Sequence, residues 1–180
     1  MTPRELEEYK ALRATIRERG TARHWIVLVG FALWAACVLT VGAFGSVPVE
    51  VFIPLTLLVA TFEVVFALHT GVERVGRYLQ VFYEPPDEPA RWEHVAMTFG
   101  QQFGGGGTLD ALFSPVFLVA TVFNLIPAVL TEPVPAEWVL IGVCHALFAW
   151  RVRSARQQAA GQRALDLDRF TRLKSGNASS

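Results

Sequence analysis

The sequence predicts an all-α membrane protein: four transmembrane helices with both termini cytoplasmic, a cytoplasmic N-terminal amphipathic helix, and cytoplasmic helical extensions of spans two and four. Three observations predict it. Hydrophobic residues make up 52% of the 180 and the mean hydropathy is +0.36, which moves the chain from the soluble class to the membrane class. Apolar runs occur four times, at 25–44, 48–70, 109–130 and 135–150, and a spanning helix needs roughly 20 mostly apolar residues. The third observation is charge. Of the 16 Lys and Arg, six precede the first run, three lie between runs two and three, and seven follow the fourth. The two remaining connections contain none, and Lys and Arg mark the cytoplasmic side. The expected organisation is a single membrane domain, 1–180, with a cytoplasmic loop at 71–108 and a cytoplasmic tail at 151–180.

The elements follow in chain order. Thr2-Pro3-Arg4-Glu5 supplies a capping hydroxyl, a proline at the first helical position and a glutamate at the third. Leu6, Tyr9, Leu12 and Ile16 then recur at helical spacing with charged residues opposite, which predicts an amphipathic helix over 2–20 that ends at Gly20. Span one starts at His24-Trp25 and carries the small residues Gly30, Ala32, Ala35 and Ala36, which permit close helix approach. A short connection through Ser46 makes spans one and two antiparallel neighbours.

Span two passes without a break into the polar sequence 70–83, so one helix is predicted to cross the membrane and project beyond it to Tyr83. Pro85 and Pro86 end it. A short interfacial helix over 89–99 is expected, with Trp92 as its anchor. The four glycines at 104–107 lack the Lys-Ser or Lys-Thr of a phosphate loop. Span three is expected to be capped by Thr108 and kinked at Ser114-Pro115, with Pro127 loosening its last turn. Span four runs to Trp150 and extends through Arg151, Arg153 and Arg156, with Gly161 as a weak point. Cys37 and Cys144 fall inside spans at different depths, so no disulfide is expected.

Glu8-Tyr9-Lys10-Ala11-Leu12-Arg13 and Arg74-Val75-Gly76-Arg77-Tyr78-Leu79, followed by Glu84-Pro85 and Trp92-Glu93, resemble a loose group of small bacterial four-span membrane proteins. Members start with an N-terminal amphipathic helix and carry a Gly-Arg-Tyr element after the second hydrophobic segment. The resemblance implies the architecture and a bacterial inner-membrane location. It carries no activity and no site residues.

The chemistry legible in the chain is sparse. No Ser-His-Asp grouping, HExxH or CxxC element is present, which points away from an enzyme. Glu63 is the one carboxylate in the middle of an apolar run, and His145 lies at nearly the same depth when helical rise is counted from the inner ends. Ionisable groups inside the hydrocarbon are costly and face the bundle interior. Each also sits on a stripe of small residues: Ala60, Ala67 and Gly71 on span two, Gly142 and Ala149 on span four. An intramembrane polar pair, Glu63 with His145, is therefore expected. His24, His69, His94 and His145 approach the cytoplasmic interface. Histidines on facing helices can hold haem, with His69 and His145 the candidates. The favoured expectation is no cofactor and no metal.

The function these readings favour is a non-enzymatic inner-membrane accessory or assembly subunit acting through its cytoplasmic helical surface. Arg74, Arg77, Tyr78 and Trp92 are the expected partner-interface residues. The expected partners are the lipid bilayer and a second copy or a membrane-complex subunit, with no nucleic acid. The alternatives are a small oligomeric transporter or channel using Glu63, and a haem-binding redox subunit.

Overall fold

The computed structural model describes residues 1–84, 95 and 111–177. The described residues form helices and turns, with no strand among them. The elements are α1 (Pro3–Phe44), a 3-10 turn (Pro48–Val51), α2 (Phe52–Tyr83), α3 (Ser114–Phe123), α4 (Ile126–Leu130) and α5 (Pro135–Asn177). The expected cap at Thr108, the interfacial helix with Trp92, His94 and the glycine run at 104–107 lie outside the described residues.

Among the described residues two helices are long and apolar enough to cross a membrane, Pro3–Phe44 and the Pro48–Tyr83 segment, while Ser114–Leu130 is apolar but shorter. Helix α1 does not stop at Gly20. A single glycine costs a helix only about 1 kcal/mol relative to alanine, and nothing near Gly20 terminates the helix. Gly161 likewise leaves α5 unbroken. Helix α2 reaches Tyr83, as its helical spacing predicts. Ser114-Pro115 starts α3 instead of kinking it. Phe113 turns the chain at φ 52°, and Pro115 falls in the first turn, where its missing N–H is no loss.

Contacts divide the chain into two compact units. The apolar unit comprises Ala22–Ala67 and Asp110–Arg156. Its core is an aromatic stack centred on Phe117, whose ring lies 5.0 Å from Phe31, 5.1 Å from Phe62 and 6.5 Å from Phe148. Edge-on arrangements at these spacings are favourable beyond their area. A second cluster joins Val51, Ala128 and Ile141. Outward residues of this unit are also apolar: Phe44 is 84% exposed, Leu39 74%, Val139 67% and Val122 66%.

The polar unit comprises Met1–Thr21, Leu68–Leu109 and Gln157–Ser180. Its described parts of α1, α2 and α5 meet through rings and ion pairs. Tyr9 packs on Tyr83 at 5.7 Å and Tyr78 on Phe170 at 5.6 Å. Arg74 pairs with Asp166, Arg163 with Glu73 and Arg13 with Glu84.

Candidate functional site

The most organised polar site lies in the apolar unit, at the break between α3 and α4. Proline 127 has no N–H to give the carbonyl of Phe123, so the helical ladder cannot continue. The chain tightens there, with Leu125 N–H donating to the Val122 carbonyl at 3.1 Å. This break puts Asn124 at the end of α3, 0% exposed.

Asn124 joins four elements. Its Oδ1 accepts from Trp34 Nε1 of α1 at 2.9 Å. Its Nδ2 donates to the Val51 carbonyl of the 3-10 turn and contacts His145 Nε2 of α5, both at 3.0 Å. His145 Nδ1 in turn lies 2.7 Å from the Ile141 carbonyl. The proton positions follow from which groups can only donate or only accept. Indole Nε1 only donates, so the amide oxygen must face Trp34. The Val51 carbonyl only accepts, so the amide nitrogen faces Val51 and His145. Nε2 must then accept from Asn124, and Nδ1 carries the proton that it donates to Ile141. The network therefore uses the neutral imidazole and leaves neither of its nitrogens unbound. A buried set satisfied in this way fixes a single arrangement of the helices it joins.

A second polar feature joins α2 to α5. Arg151 grips Glu63 with two parallel bonds, Nε to Oε1 at 2.8 Å and Nη2 to Oε2 at 2.9 Å. Such a fork is the strongest common carboxylate geometry. The guanidinium also lies 4.4 Å from the centroid of Phe66 and 5.5 Å from that of Phe62, within cation–π range.

These contacts correct the expected Glu63–His145 pair. Helices α2 and α5 do meet at this level, but Glu63 is taken by Arg151 and His145 by Asn124. The small-residue stripes do not mark a contact between α2 and α5: Ala60 is exposed, no atom would lie within 4 Å of a Cβ on Gly142, and a Cβ on Gly71 would meet the Arg19 guanidinium of α1. In the apolar unit α1 comes close to α2 at Gly30, where a Cβ would collide with the Thr61 side chain.

The expected interface residues are used within the polar unit. Arg77 is 5% exposed and its Nη1 donates to Gln80 at 2.6 Å. Tyr78 donates to Glu8 at 3.0 Å. Arg74 keeps an exposed stem while its head pairs with Asp166 at 3.1 Å. Trp92 lies outside the described residues. Of the histidines, His24 packs edge-on against Phe113 at 5.5 Å. His69 lies in α2 within the polar unit, whereas His145 belongs to the apolar unit. Among the described residues no three His, Cys, Asp or Glu side chains gather as metal ligands, and Cys37 and Cys144 are free thiols.

Sequence reasoning missed Trp34, Asn124 and Arg151 as partners. Asn124 was the available signal, because a polar side chain within an apolar run needs a hydrogen-bonding partner inside the bundle.

No family model, curated protein or solved structure matches the chain. Fold and site together define an all-helical protein with two helices able to cross a membrane.

Proposed function

We propose that the chain is a non-enzymatic, four-span accessory or assembly subunit of the bacterial inner membrane, with both termini and the polar unit in the cytoplasm. One observation carries the membrane part of this reading. The apolar unit is apolar on its outside as well as in its core, with Phe44 and Leu39 at 84% and 74% exposure, while the polar side chains of Asn124 and His145 are kept inside at 0% and 4%. A solvent of lipid favours that distribution. Helices α3 and α4 together, and the 135–150 part of α5, would supply the third and fourth spans.

The polar groups inside support a structural role. Both nitrogens of His145 are engaged and Glu63 is neutralised by Arg151, so neither is poised to carry a proton or to ligate haem iron. The accessory role rests on the polar unit. With Arg77 buried and Tyr78 bonded to Glu8, the outward face of α5 offers Leu165 at 50% and Leu173 at 58% exposure, one turn either side of exposed Arg169. Leucine, arginine and leucine at four-residue spacing form a short amphipathic stripe suited to a helical partner or a second copy.

The test is particle mass by light scattering in mild detergent. Leu165→Glu with Leu173→Glu should reduce a larger complex to the single chain while the protein stays in the membrane fraction. A wild-type protein that is already a lone chain, or a double variant of unchanged mass, would refute the accessory reading.

A further inference from the structure

We infer that Arg19 and Arg74 form a seat for the phosphate of an anionic inner-leaflet phospholipid, with Gly71 between them, at the membrane-proximal edge of the polar unit. This inference rests on the membrane reading above. All three residues belong to the polar unit. Thr70 ends the apolar run of α2, so Gly71 and Arg74 stand about 1.5 and 6 Å past it at helical rise. The headgroup layer on each face is roughly 5–8 Å deep, half the difference between the ~30 Å hydrocarbon and the ~40–45 Å bilayer. Both positions therefore fall at the level of the lipid phosphates.

Gly71 lets a side chain of α1 reach this level. A Cβ at position 71 would lie 2.7 Å from Arg19 Nη1, too close for a carbon and a nitrogen, so the Arg19 guanidinium rests on the bare backbone of α2. Among the described residues Arg19 makes no hydrogen bond or ion pair, and it is exposed. Arg74 lies one turn further along the same face, where Cβ positions are roughly 5–6 Å apart. Its Nε donates to Asp166 at 3.1 Å, and its side chain is 57% exposed. Two guanidinium groups with unused donors therefore flank one turn of α2, and the planar fork of arginine suits phosphate oxygens. Charge selects the class. Asp166 offsets Arg74, Arg163 offsets Glu73, and the exposed neighbours Arg17 and Glu18 cancel. Arg19 is left as an uncompensated cation. A lipid with one net negative charge balances it, whereas a zwitterionic headgroup brings its own ammonium and does not.

The experiment is native mass spectrometry of the full chain, released from mild detergent after incubation with equimolar phosphatidylglycerol and phosphatidylcholine. The wild type should retain one phosphatidylglycerol with a preference of about fivefold, the worth of one arginine at an anionic surface. Arg19→Gln should abolish the preference. Gly71→Ala keeps every charge but displaces the Arg19 guanidinium, and it should lose most of the preference while keeping its fold by circular dichroism. A general attraction of lipid to the basic surface would leave Gly71→Ala like the wild type. Excess inorganic phosphate should leave the lipid in place. Equal retention of the two lipids by the wild type, an unchanged preference in either variant, or replacement of the lipid by phosphate would overturn the site. Recovery of the wild type from the soluble fraction without detergent would instead overturn the membrane reading on which it rests.

Discussion

Replacing Asn124 with leucine keeps the side-chain volume close and removes every bond that joins the four elements at the α3–α4 break. Three contacts are lost: those to Trp34 Nε1, the Val51 carbonyl and His145 Nε2. Hydrogen bonds between membrane helices average about 0.6 kcal/mol each, because the unfolded chain in lipid also finds partners. The three together therefore contribute about 2 kcal/mol. His145→Leu removes the Asn124 contact and the bond to its own helix carbonyl, about 1 kcal/mol on the same basis. Equilibrium unfolding in mixed micelles, followed by tryptophan fluorescence, measures both variants and their combination. The Asn124→Leu and His145→Leu changes should couple by about 0.6 kcal/mol, since both delete one shared bond. The same cycle with Glu63→Leu and His145→Leu should be additive within about 0.5 kcal/mol. Additivity in the first cycle, or strong coupling in the second, would refute the assignment of partners derived above.

Three further outcomes are expected. Glu63→Leu or Arg151→Leu alone should each destabilise by an amount on the order of 1 kcal/mol, small because the pair is partly exposed, and the double leucine variant should be at least as stable as either single one; the same unfolding assay reads this. Gly30→Ala should cost about 1–3 kcal/mol by overpacking against Thr61, and Thr61→Ala in the same chain should restore most of it. In the polar unit, burial and the neighbouring Glu8 carboxylate push the Tyr83 hydroxyl up from 10.0 to about 12. The folded state then holds this proton more tightly than the unfolded one, so its contribution to stability is full below about pH 10 and is lost as pH rises through about 12. Tyrosinate absorbance should accordingly show Tyr83 ionising well above the ordinary tyrosine range, and an ordinary value for it, identified by Tyr83→Phe, would contradict the buried site.

The long helices were legible because apolar length and helical spacing are local properties. The continuation of α2 to Tyr83 could be read from the residues alone. The start of α3 could not, since proline after serine reads equally as a kink inside a helix or as its first turn, and the left-handed Phe113 that decides between them has no sequence signature. Glu63 was legible as an anomalous charge, but its partner was not. Depth counted by helical rise compares backbone positions, whereas a long side chain on a helix leans back toward the N-terminus. Arg151 does so and reaches Glu63, although its Cα lies at the end of the apolar run. His145 was legible as buried, and the break at Pro127 then gave it Asn124. The packing of Arg77 and Tyr78 within the chain was not legible for a related reason. Arginine and tyrosine suit a partner surface, and they suit equally the seam among three helices of one chain, which is where Arg77 and Tyr78 are found.

The central claim, four spans with both termini inside, is tested most directly by cysteine accessibility in intact cells. In a background with Cys37 and Cys144 replaced by serine, single cysteines are placed at Ser46, Val95, Val134 and Ser175, all four exposed in the fold. A membrane-impermeant maleimide should label only positions 46 and 134 until the cells are opened, after which all four react. Labelling of position 95 or 175 in intact cells, or protection of 46 and 134, would contradict the account.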